Sequence, residues 1–184
     1  GDVINGRVVS TASPRPALRL VVPDAGQRYV TCVPLVPLQA AAGAFSDPQQ
    51  VEDADWEWVE LTGATRPAPG LFVAQVVGES MNRRIPNGAW CLWRASPGGS
   101  RQGKVVLAEH HAIHDSELDG RYTVKVYESE KVPTEDGGWR HAVIRLKPDS
   151  RDPSFAPIVL QDLEEGELRI VAELVEVLGG GEGE

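Results

Sequence analysis

Short apolar runs, rich in β-branched and aromatic residues, recur along the chain and are separated by Gly, Pro, Asp or Ser. Runs of this length and composition predict strands. They occupy residues 3–9, 17–22, 28–36, 71–77, 89–93, 104–109, 142–146 and 158–160. Residues 168–178 fit a helix or a strand on pattern alone, but their β-branched content favours a strand. The sequence therefore predicts a mainly β fold, and its first 37 residues lack the helical periodicity of a helix-turn-helix.

The segments between these runs are less regular. Residues 62–70, with two Pro and two Gly, indicate a loop, and residues 129–140 indicate a polar excursion. In residues 51–61, Trp56 and Trp58 share one face only at the spacing of a strand, which favours an extended segment.

Residues 38–48 are a run of small side chains that ends in a Pro-containing turn. Small side chains let another backbone approach closely, as a peptide bond presented to an active site requires. The same composition is typical of a flexible linker, and on local evidence this is the better interpretation.

A serine follows the predicted strand at residues 71–77. The chain there reads Gly78-Glu79-Ser80-Met81, and a predicted turn at residues 86–88 leads into the next strand of a hairpin. A strand end followed by a loop holds a hydroxyl in place and leaves it open to a substrate. Many serines near glycine only form turns, so a nucleophilic Ser80 requires a base from elsewhere in the chain.

The most regular alternation in the sequence surrounds a lysine at residues 121–127. A period of two places Val124 and Val126 on one face and Thr123, Lys125 and Tyr127 on the other. A lysine in a strand is usually solvated. The chain has only four lysines, however, so the position of Lys125 in this strand makes it a candidate base.

Three histidines, His110, His111 and His114, follow residues 104–109 and lie close in sequence to Glu109 and Asp115. Two histidines four residues apart could share a metal ion on a helix. Because this segment lies between two predicted strands, a polar hairpin tip is the better interpretation. We expect no metal or cofactor.

Composition limits the classes of function. A net charge of -9 and a pI near 5.0 argue against nucleic acid as a direct ligand, because phosphate contacts need clustered Lys and Arg. No apolar run reaches the roughly 18–20 residues of a membrane span, and the N-terminus lacks a signal pattern, so we expect a soluble, cytoplasmic protein. Cys32 and Cys91 each lie in apolar stretches, which favours buried thiols over the alternative of a disulfide.

Four motifs in this order resemble the self-cleaving serine-lysine peptidase domain of LexA, UmuD and phage repressors. They are Gly78-Glu79-Ser80-Met81, Ile85-Pro86-Asn87-Gly88, Thr123-Val124-Lys125 and Leu146-Lys147-Pro148-Asp149-Ser150. The resemblance covers about residues 38–178. It implies a LexA/signal-peptidase-like, β-clip-containing fold of short, strongly bent antiparallel sheets.

The resemblance also implies the roles of individual residues. Ser80 would be the nucleophile, Lys125 the base, and the backbone N–H groups of Glu79 and Ser80 the oxyanion donors. The small-residue run resembles the self-cleavage segment of the family, with Ala42-Gly43, 38 residues before Ser80, as the bond to be cut. A lysine acts as a base only in its neutral form, and burial favours that form because desolvation penalises the ammonium.

The resulting organisation is a strand-like extension at residues 1–37, a candidate self-cleavage arm at 38–50, a peptidase domain at 51–178 and a disordered tail at 179–184. The resemblance implies the chain's own arm as substrate, a homodimer, and an activator protein or fused domain in a stress, SOS or phage-related response. Neither nucleic acid nor a membrane is an expected partner. The family's DNA-binding head has no counterpart here, and the excursion at 129–140 is longer than expected.

Three alternatives share the same chemistry or fold. The first is a dimerisation or protein-binding module that seldom or never cuts. The second is a UmuD-like polymerase accessory subunit. The third is a signal-peptidase-like enzyme that acts on other chains, which the absence of a predicted membrane anchor disfavours.

Overall fold

The computed structural model describes residues 18–44, 56–61, 65–95, 97–115, 117–118, 121–133, 135–161 and 167–179. Within these residues the strands are β1 (Leu18–Val21), β2 (Val33–Leu35), β3 (Glu57–Leu61), β4 (Leu71–Val76), β5 (Ala89–Ala95), β6 (Val105–Glu109), β7 (Tyr122–Pro133), β8 (Trp139–Lys147), β9 (Ile158–Gln161) and β10 (Arg169–Gly179). A short helix, α1, spans Leu38–Ala44. The predicted strand at residues 3–9, the end of the arm at 45–50 and the tail beyond Gly179 lie outside the described residues.

All ten strands belong to one open sheet in the order β1-β3-β2-β4-β5-β10-β6-β7-β8-β9. Neighbours are antiparallel except β2 and β4, which pair in parallel. The predicted mainly β fold is confirmed, although the strands form one mixed sheet instead of separate antiparallel ones. β10 lies between β5 and β6 and joins the two halves of the sheet. Register shifts within it mark bulges, which bend a strand locally.

Helix α1 shows that the flexible-linker interpretation of residues 38–44 was wrong. Alanine is the strongest helix former, and the run contains four of them between Leu38 and Ala44. Leu38, Ala41 and Ala42 follow the spacing i, i+3, i+4, so they lie on one helix face, and all three are buried. The helix therefore forms because this face packs against the sheet, at β4 and β6.

The polar excursion predicted at residues 129–140 is instead the distal part of a long hairpin between β7 and β8. Ser129 pairs with Ile144, and pairing continues to Pro133 and Trp139 at the far end. Alternation of apolar and polar residues appears only where one face of a strand is buried. Glu135 to Gly138 at the tip are exposed, and so are Lys131 and Pro133, which explains why the pattern missed this ribbon.

The largest cluster of buried side chains joins the helix, the central strands and the segment after β4. Met81 and Ile85, which follow Ser80, belong to this cluster and are fully or almost fully buried. A second cluster lies among β6 to β9 and includes Val106, the cross-strand partner of Lys125. The candidate nucleophile and the candidate base thus extend from two packed regions, which restrict their movement.

Cys32 and Cys91 are free, buried thiols, so the disulfide alternative was wrong. Burial raises the pKa of Cys91 to about 12, which leaves its thiol unreactive at neutral pH. In the part of the chain that the structure describes, no helix has the length and apolar character required to cross a membrane.

Candidate active site

Ser80 lies in a tight turn between β4 and β5, the predicted hairpin. The turn begins at Gly78, whose φ of 115° is a conformation that residues with a side chain rarely adopt. The N–H of Gly78 donates to Oδ1 of Asn87 at 2.7 Å, and the N–H of Gly88 donates to the carbonyl of Val76 at 2.8 Å. These bonds hold both ends of the turn, and Ser80 is only 8% exposed.

The segment after β8 also holds this turn in place through hydrogen bonds. The N–H of Asp149 donates to the carbonyl of Ser80 at 2.9 Å, and Oγ of Ser150 donates to the carbonyl of Glu79 at 2.7 Å. The carboxylate of Asp149 also pairs with Arg84 at 2.6 Å. The motif at residues 146–150 was recognised in the sequence without a role, and the structure shows it fixing the backbone around Ser80.

Lys125 is buried on β7, with 4% of its surface exposed, so the solvated interpretation of this lysine was wrong. Its Nζ lies 3.0 Å from Oγ of Ser80, although the two residues are 45 positions apart in sequence. A hydroxyl and an amine at this distance can exchange a proton directly. The structure therefore brings together the two side chains that the sequence proposed as nucleophile and base.

Three further groups surround Nζ of Lys125. The Nζ donates to Oγ1 of Thr123 at 2.8 Å, to the carbonyl of Val124 at 3.2 Å and to Oδ2 of Asp115 at 3.1 Å. Thr123 in turn donates to the same Oδ2 at 2.5 Å. Burial by itself would raise the pKa of Asp115, but the hydrogen bond from Thr123 and the charge of Lys125 outweigh it and hold that pKa below its usual range.

The backbone N–H groups of Glu79 and Ser80 converge on one carboxylate, that of Glu117. Glu79 donates to Oε2 at 2.7 Å and Ser80 to Oε1 at 3.1 Å. Two N–H groups aimed at one anion are what an oxyanion hole provides for a tetrahedral intermediate. Here the anion is a side chain of the β6–β7 connection, residues 110–121, so both donors are already engaged.

Gly78→Ala is expected to be the more damaging of two glycine substitutions. The added Cβ would lie 2.7 Å from Oε1 and 2.8 Å from Cδ of Glu117, at a φ of +115°. We expect a loss of unfolding free energy near the upper end of the about 1–3 kcal/mol typical of strained backbone, measured by urea denaturation. Gly99→Ala is the control, because its φ is also positive, at 75°, but nothing lies within 4 Å of its Cβ. Equal losses in the two variants would contradict the close approach of Glu117.

A cleft of about 170 Å³ opens beside the candidate pair. Ser80 and Lys125 line one side of it, and Phe155 and Ile158 line another. His114 also borders this cleft. A polypeptide segment could enter here and reach Oγ of Ser80.

The candidate cleavage site lies in α1. The Ala42 side chain is 3% exposed, and the carbonyl oxygen of Ala42 accepts a hydrogen bond from the guanidinium of Arg169. Arg169 is itself paired with Glu109 at 2.7 Å. Peptide recognition by strand addition needs an extended backbone. The bond between Ala42 and Gly43, which lies in a helix, does not have the extended conformation that such recognition needs.

The possible metal ligands that lie together in the structure differ from those that the sequence suggested. One ligand atom each from His110, His111 and Glu167 lie within 4.8 Å of one another. The two imidazole rings are stacked, with centroids 4.2 Å apart and planes 27° apart. Lone pairs of stacked rings run nearly parallel and do not converge on one ion. Nδ1 of His110 moreover accepts the N–H of Ala112 at 2.9 Å, which favours a structural role.

Sequence reasoning missed two residues of the site, Asp115 and Glu117. Asp115 was considered only beside the histidines, and Glu117 was not singled out. Both follow a predicted strand in a polar segment, which is also the composition of a solvated hairpin tip. The one available signal was the presence of several acidic residues shortly before the lysine strand, and that signal is weak.

A search of curated proteins found no match to the chain. The model of the family described as Peptidase S24-like matches residues 34–175, more than half of the 184 residues. The match runs from β2 into β10 and contains the Ser80 turn, the Lys125 strand and α1. The chain therefore belongs to the Peptidase S24-like family, the family of the LexA and UmuD type.

Proposed function

We propose that this chain is a serine-lysine peptidase that cuts itself between Ala42 and Gly43. The observation that carries the proposal is the 3.0 Å distance between Nζ of Lys125 and Oγ of Ser80, with both side chains buried. A serine hydroxyl is a weak nucleophile until a base removes its proton, and an amine at this distance is correctly placed to do so. Membership of a peptidase family supports the same assignment.

The proposed reaction has two stages. Neutral Lys125 takes the proton of Ser80 as Oγ attacks the carbonyl carbon of Ala42, and the resulting ammonium returns that proton to the departing amine of Gly43. An ester between Ala42 and Ser80 remains. Lys125 then takes a proton from water as the water oxygen attacks the ester carbonyl, and the ammonium returns that proton to Oγ of Ser80 as the ester bond breaks. The products are the hydroxyl of Ser80 and the carboxylic acid of Ala42, which loses its proton to solvent.

The backbone N–H groups of Glu79 and Ser80 are the proposed donors to the oxyanion in both stages. Each is worth roughly 3 kcal/mol when well aimed. They become available only after Glu117 has withdrawn, and the substrate bond becomes available only after α1 has unwound. Because the substrate is part of the same chain, its high local concentration replaces tight binding once these two changes have occurred.

An enzyme that needs Glu117 to withdraw and α1 to unwind before it can act is open to regulation. We propose that an activator protein or an attached domain promotes the withdrawal of Glu117 and the unwinding of α1, as in a stress, SOS or phage-related response. A homodimer and a cytoplasmic location belong to the same proposal, as does the assignment of residues 38–50 to the arm and 51–178 to the peptidase domain.

Self-cleavage can be tested directly on the purified chain. We expect incubation from about pH 7 to pH 10 to produce fragments 1–42 and 43–184, identified by intact mass, with a rate that rises with pH because only a neutral amine can accept the proton of Ser80. An intact chain throughout this range, with candidate activators added, would refute the proposal. Cleavage of an added peptide while the chain stays whole would instead support an enzyme that acts on other chains.

A protein-binding module of the same fold that does not cut is the second candidate. The observation that favours it is Glu117, whose carboxylate engages both backbone donors. The burial of Ala42 within a helix points in the same direction. If the chain is such a module, it should stay intact even when Glu117 is replaced by alanine. Free backbone N–H donors do not cause cleavage when no peptide bond is presented to Ser80. Cleavage by Glu117→Ala at the proposed bond would exclude it.

A further inference from the structure

We propose that Asp115 is a positioning residue that directs Lys125 towards Ser80 and sets the pH range in which Lys125 can act as a base. This inference rests on the peptidase function proposed above. Asp115 belongs to none of the sequence motifs and takes part in none of the proposed reaction steps.

The orientation of the Asp115 carboxylate is determined on both sides. Its Oδ1 accepts the N–H of Glu117 at 2.9 Å, which ties the carboxylate to its own loop. Its Oδ2 lies 2.5 Å from Oγ1 of Thr123 and 3.1 Å from Nζ of Lys125. Thr123 closes the triangle, since its Oγ1 is 2.8 Å from the same Nζ. Asp115 and Thr123 together leave Nζ little freedom to move away from Ser80.

Burial strengthens the electrostatic interaction between Asp115 and Lys125. The side chain of Lys125 is 5% exposed and that of Asp115 is 7% exposed, so water screens their interaction poorly. A buried ammonium without a counter-charge is strongly disfavoured, whereas a carboxylate at 3.1 Å stabilises it. The pKa of Asp115 is held below its usual range, so this carboxylate stays charged at neutral pH. Lys125 must therefore give up its proton against the attraction of Asp115.

Other charged groups around Lys125 are engaged elsewhere. The carboxylate of Glu117 accepts the N–H groups of Glu79 and Ser80, and Oε1 of Glu79 accepts from Asn82. On the β8 side, Lys147 is paired with Glu128. The partner of Lys125 on β6 is the apolar Val106.

His114 and residues of the segment 154–158 also line the cleft. The lining residues of that segment, Ser154, Phe155, Ala156 and Ile158, carry no charge. Among the charged groups of the described residues, Asp115 is the one that hydrogen-bonds to Nζ. The pH dependence of the base should therefore depend chiefly on Asp115.

Asp115→Asn removes the charge of this side chain and keeps its size. Asparagine keeps one oxygen to accept the hydroxyl of Thr123, but its amide nitrogen cannot accept the N–H of Glu117 as Oδ1 of Asp115 does. We expect the midpoint of the pH–rate profile for self-cleavage to move to lower pH by about 1–3 units, the range that an opposite charge at this distance produces. Below the midpoint, displacing the profile by one pH unit changes the rate at a given pH by about tenfold. The variant should therefore cut faster than the parent chain near neutral pH.

The controls distinguish this role from a structural one. Asp24→Asn removes one carboxylate from an exposed turn before β2, where Asp24 caps the N–H of Gly26, and its midpoint should stay where the parent's is. Asp115→Ser removes the same buried charge with a smaller side chain, and it replaces the asparagine variant if that one does not fold, as judged by circular dichroism.

The possible outcomes separate the two proposals. A downward shift of the midpoint in the Asp115 variant supports the inference. A uniform loss of rate with an unmoved midpoint, or an upward shift, overturns it and leaves the peptidase proposal intact, provided that the parent chain cuts. Absence of cleavage by the parent chain at every pH, with candidate activators added, overturns the peptidase proposal itself.

Discussion

Ser80→Ala and Lys125→Ala are each expected to abolish self-cleavage, lowering its rate by about 10⁴-fold or more. The alanine at position 80 removes the attacking oxygen, and the alanine at position 125 removes the amine 3.0 Å from it. The two side chains act as one unit, because neither the attack nor the return of the proton proceeds without both. The double variant should therefore be no slower than either single variant.

The measurement is the time course of fragments 1–42 and 43–184 by intact mass at about pH 9, where the parent chain should be active. Lys131→Ala and Ser100→Ala are matched controls. Lys131 is exposed on the same strand as Lys125, and Ser100 is exposed in the turn before β6. Both should cut at the rate of the parent. Cleavage at the same bond by Ser80→Ala would disprove the proposed nucleophile.

Trp93→Ala is expected to have the largest effect on stability, a loss of about 3–5 kcal/mol of unfolding free energy. Trp93 is fully buried on β5 and is the largest of the fully buried side chains. Its cross-strand partners are Phe72 on β4 and Leu174 on β10, so it lies where β10 joins the two halves of the sheet. Removing the indole would leave a cavity that the surrounding strands cannot close without breaking their pairing.

Urea denaturation followed by circular dichroism measures this loss. Trp93→Phe is the matched control, because it keeps an aromatic ring and removes the indole Nε1, for which the described residues provide no hydrogen-bond partner. We expect the phenylalanine variant to lose less than about 1.5 kcal/mol. If alanine cost no more than phenylalanine, the position would be loosely packed and the structure at β5 would be wrong.

Most of the sheet followed from local patterns in the sequence. The short β-branched runs became β4, β5, β6, β9 and β10, because a strand buried on one or both faces needs such residues whatever its neighbours are. The linker interpretation of residues 38–44 and the excursion predicted at 129–140 were wrong because both segments depend on contacts with other parts of the chain. Helix α1 is stabilised by packing against the sheet, and the outer part of the β7–β8 hairpin is stabilised by pairing between exposed strands. Pairing between exposed strands leaves no apolar period in the sequence, and the helical spacing of Leu38, Ala41 and Ala42 spans only two turns within a run of small residues.

The candidate site was predicted to a lesser extent. Ser80 and Lys125 were identified because each lies in a recognisable local pattern and because their order resembles that of a known family. Their side chains meet in the structure, and their catalytic roles stay predictions. Asp115 and Glu117 could not be found in this way, since polar residues in a connection between strands are usually solvated. Glu117 meets the backbone of Ser80 from 37 residues away.

The sequence by itself determined the mainly β fold and the family, and it identified Ser80 and Lys125 as candidates, because strand periodicity and the order of motifs are read directly along the chain. Tertiary structure alone decided what surrounds them. It placed a charged carboxylate against Lys125, a second carboxylate on the N–H groups of Glu79 and Ser80, and the candidate cleavage bond in a buried helix. These contacts join residues that are distant in the chain, and their energies depend on burial and separation, which only the folded chain defines.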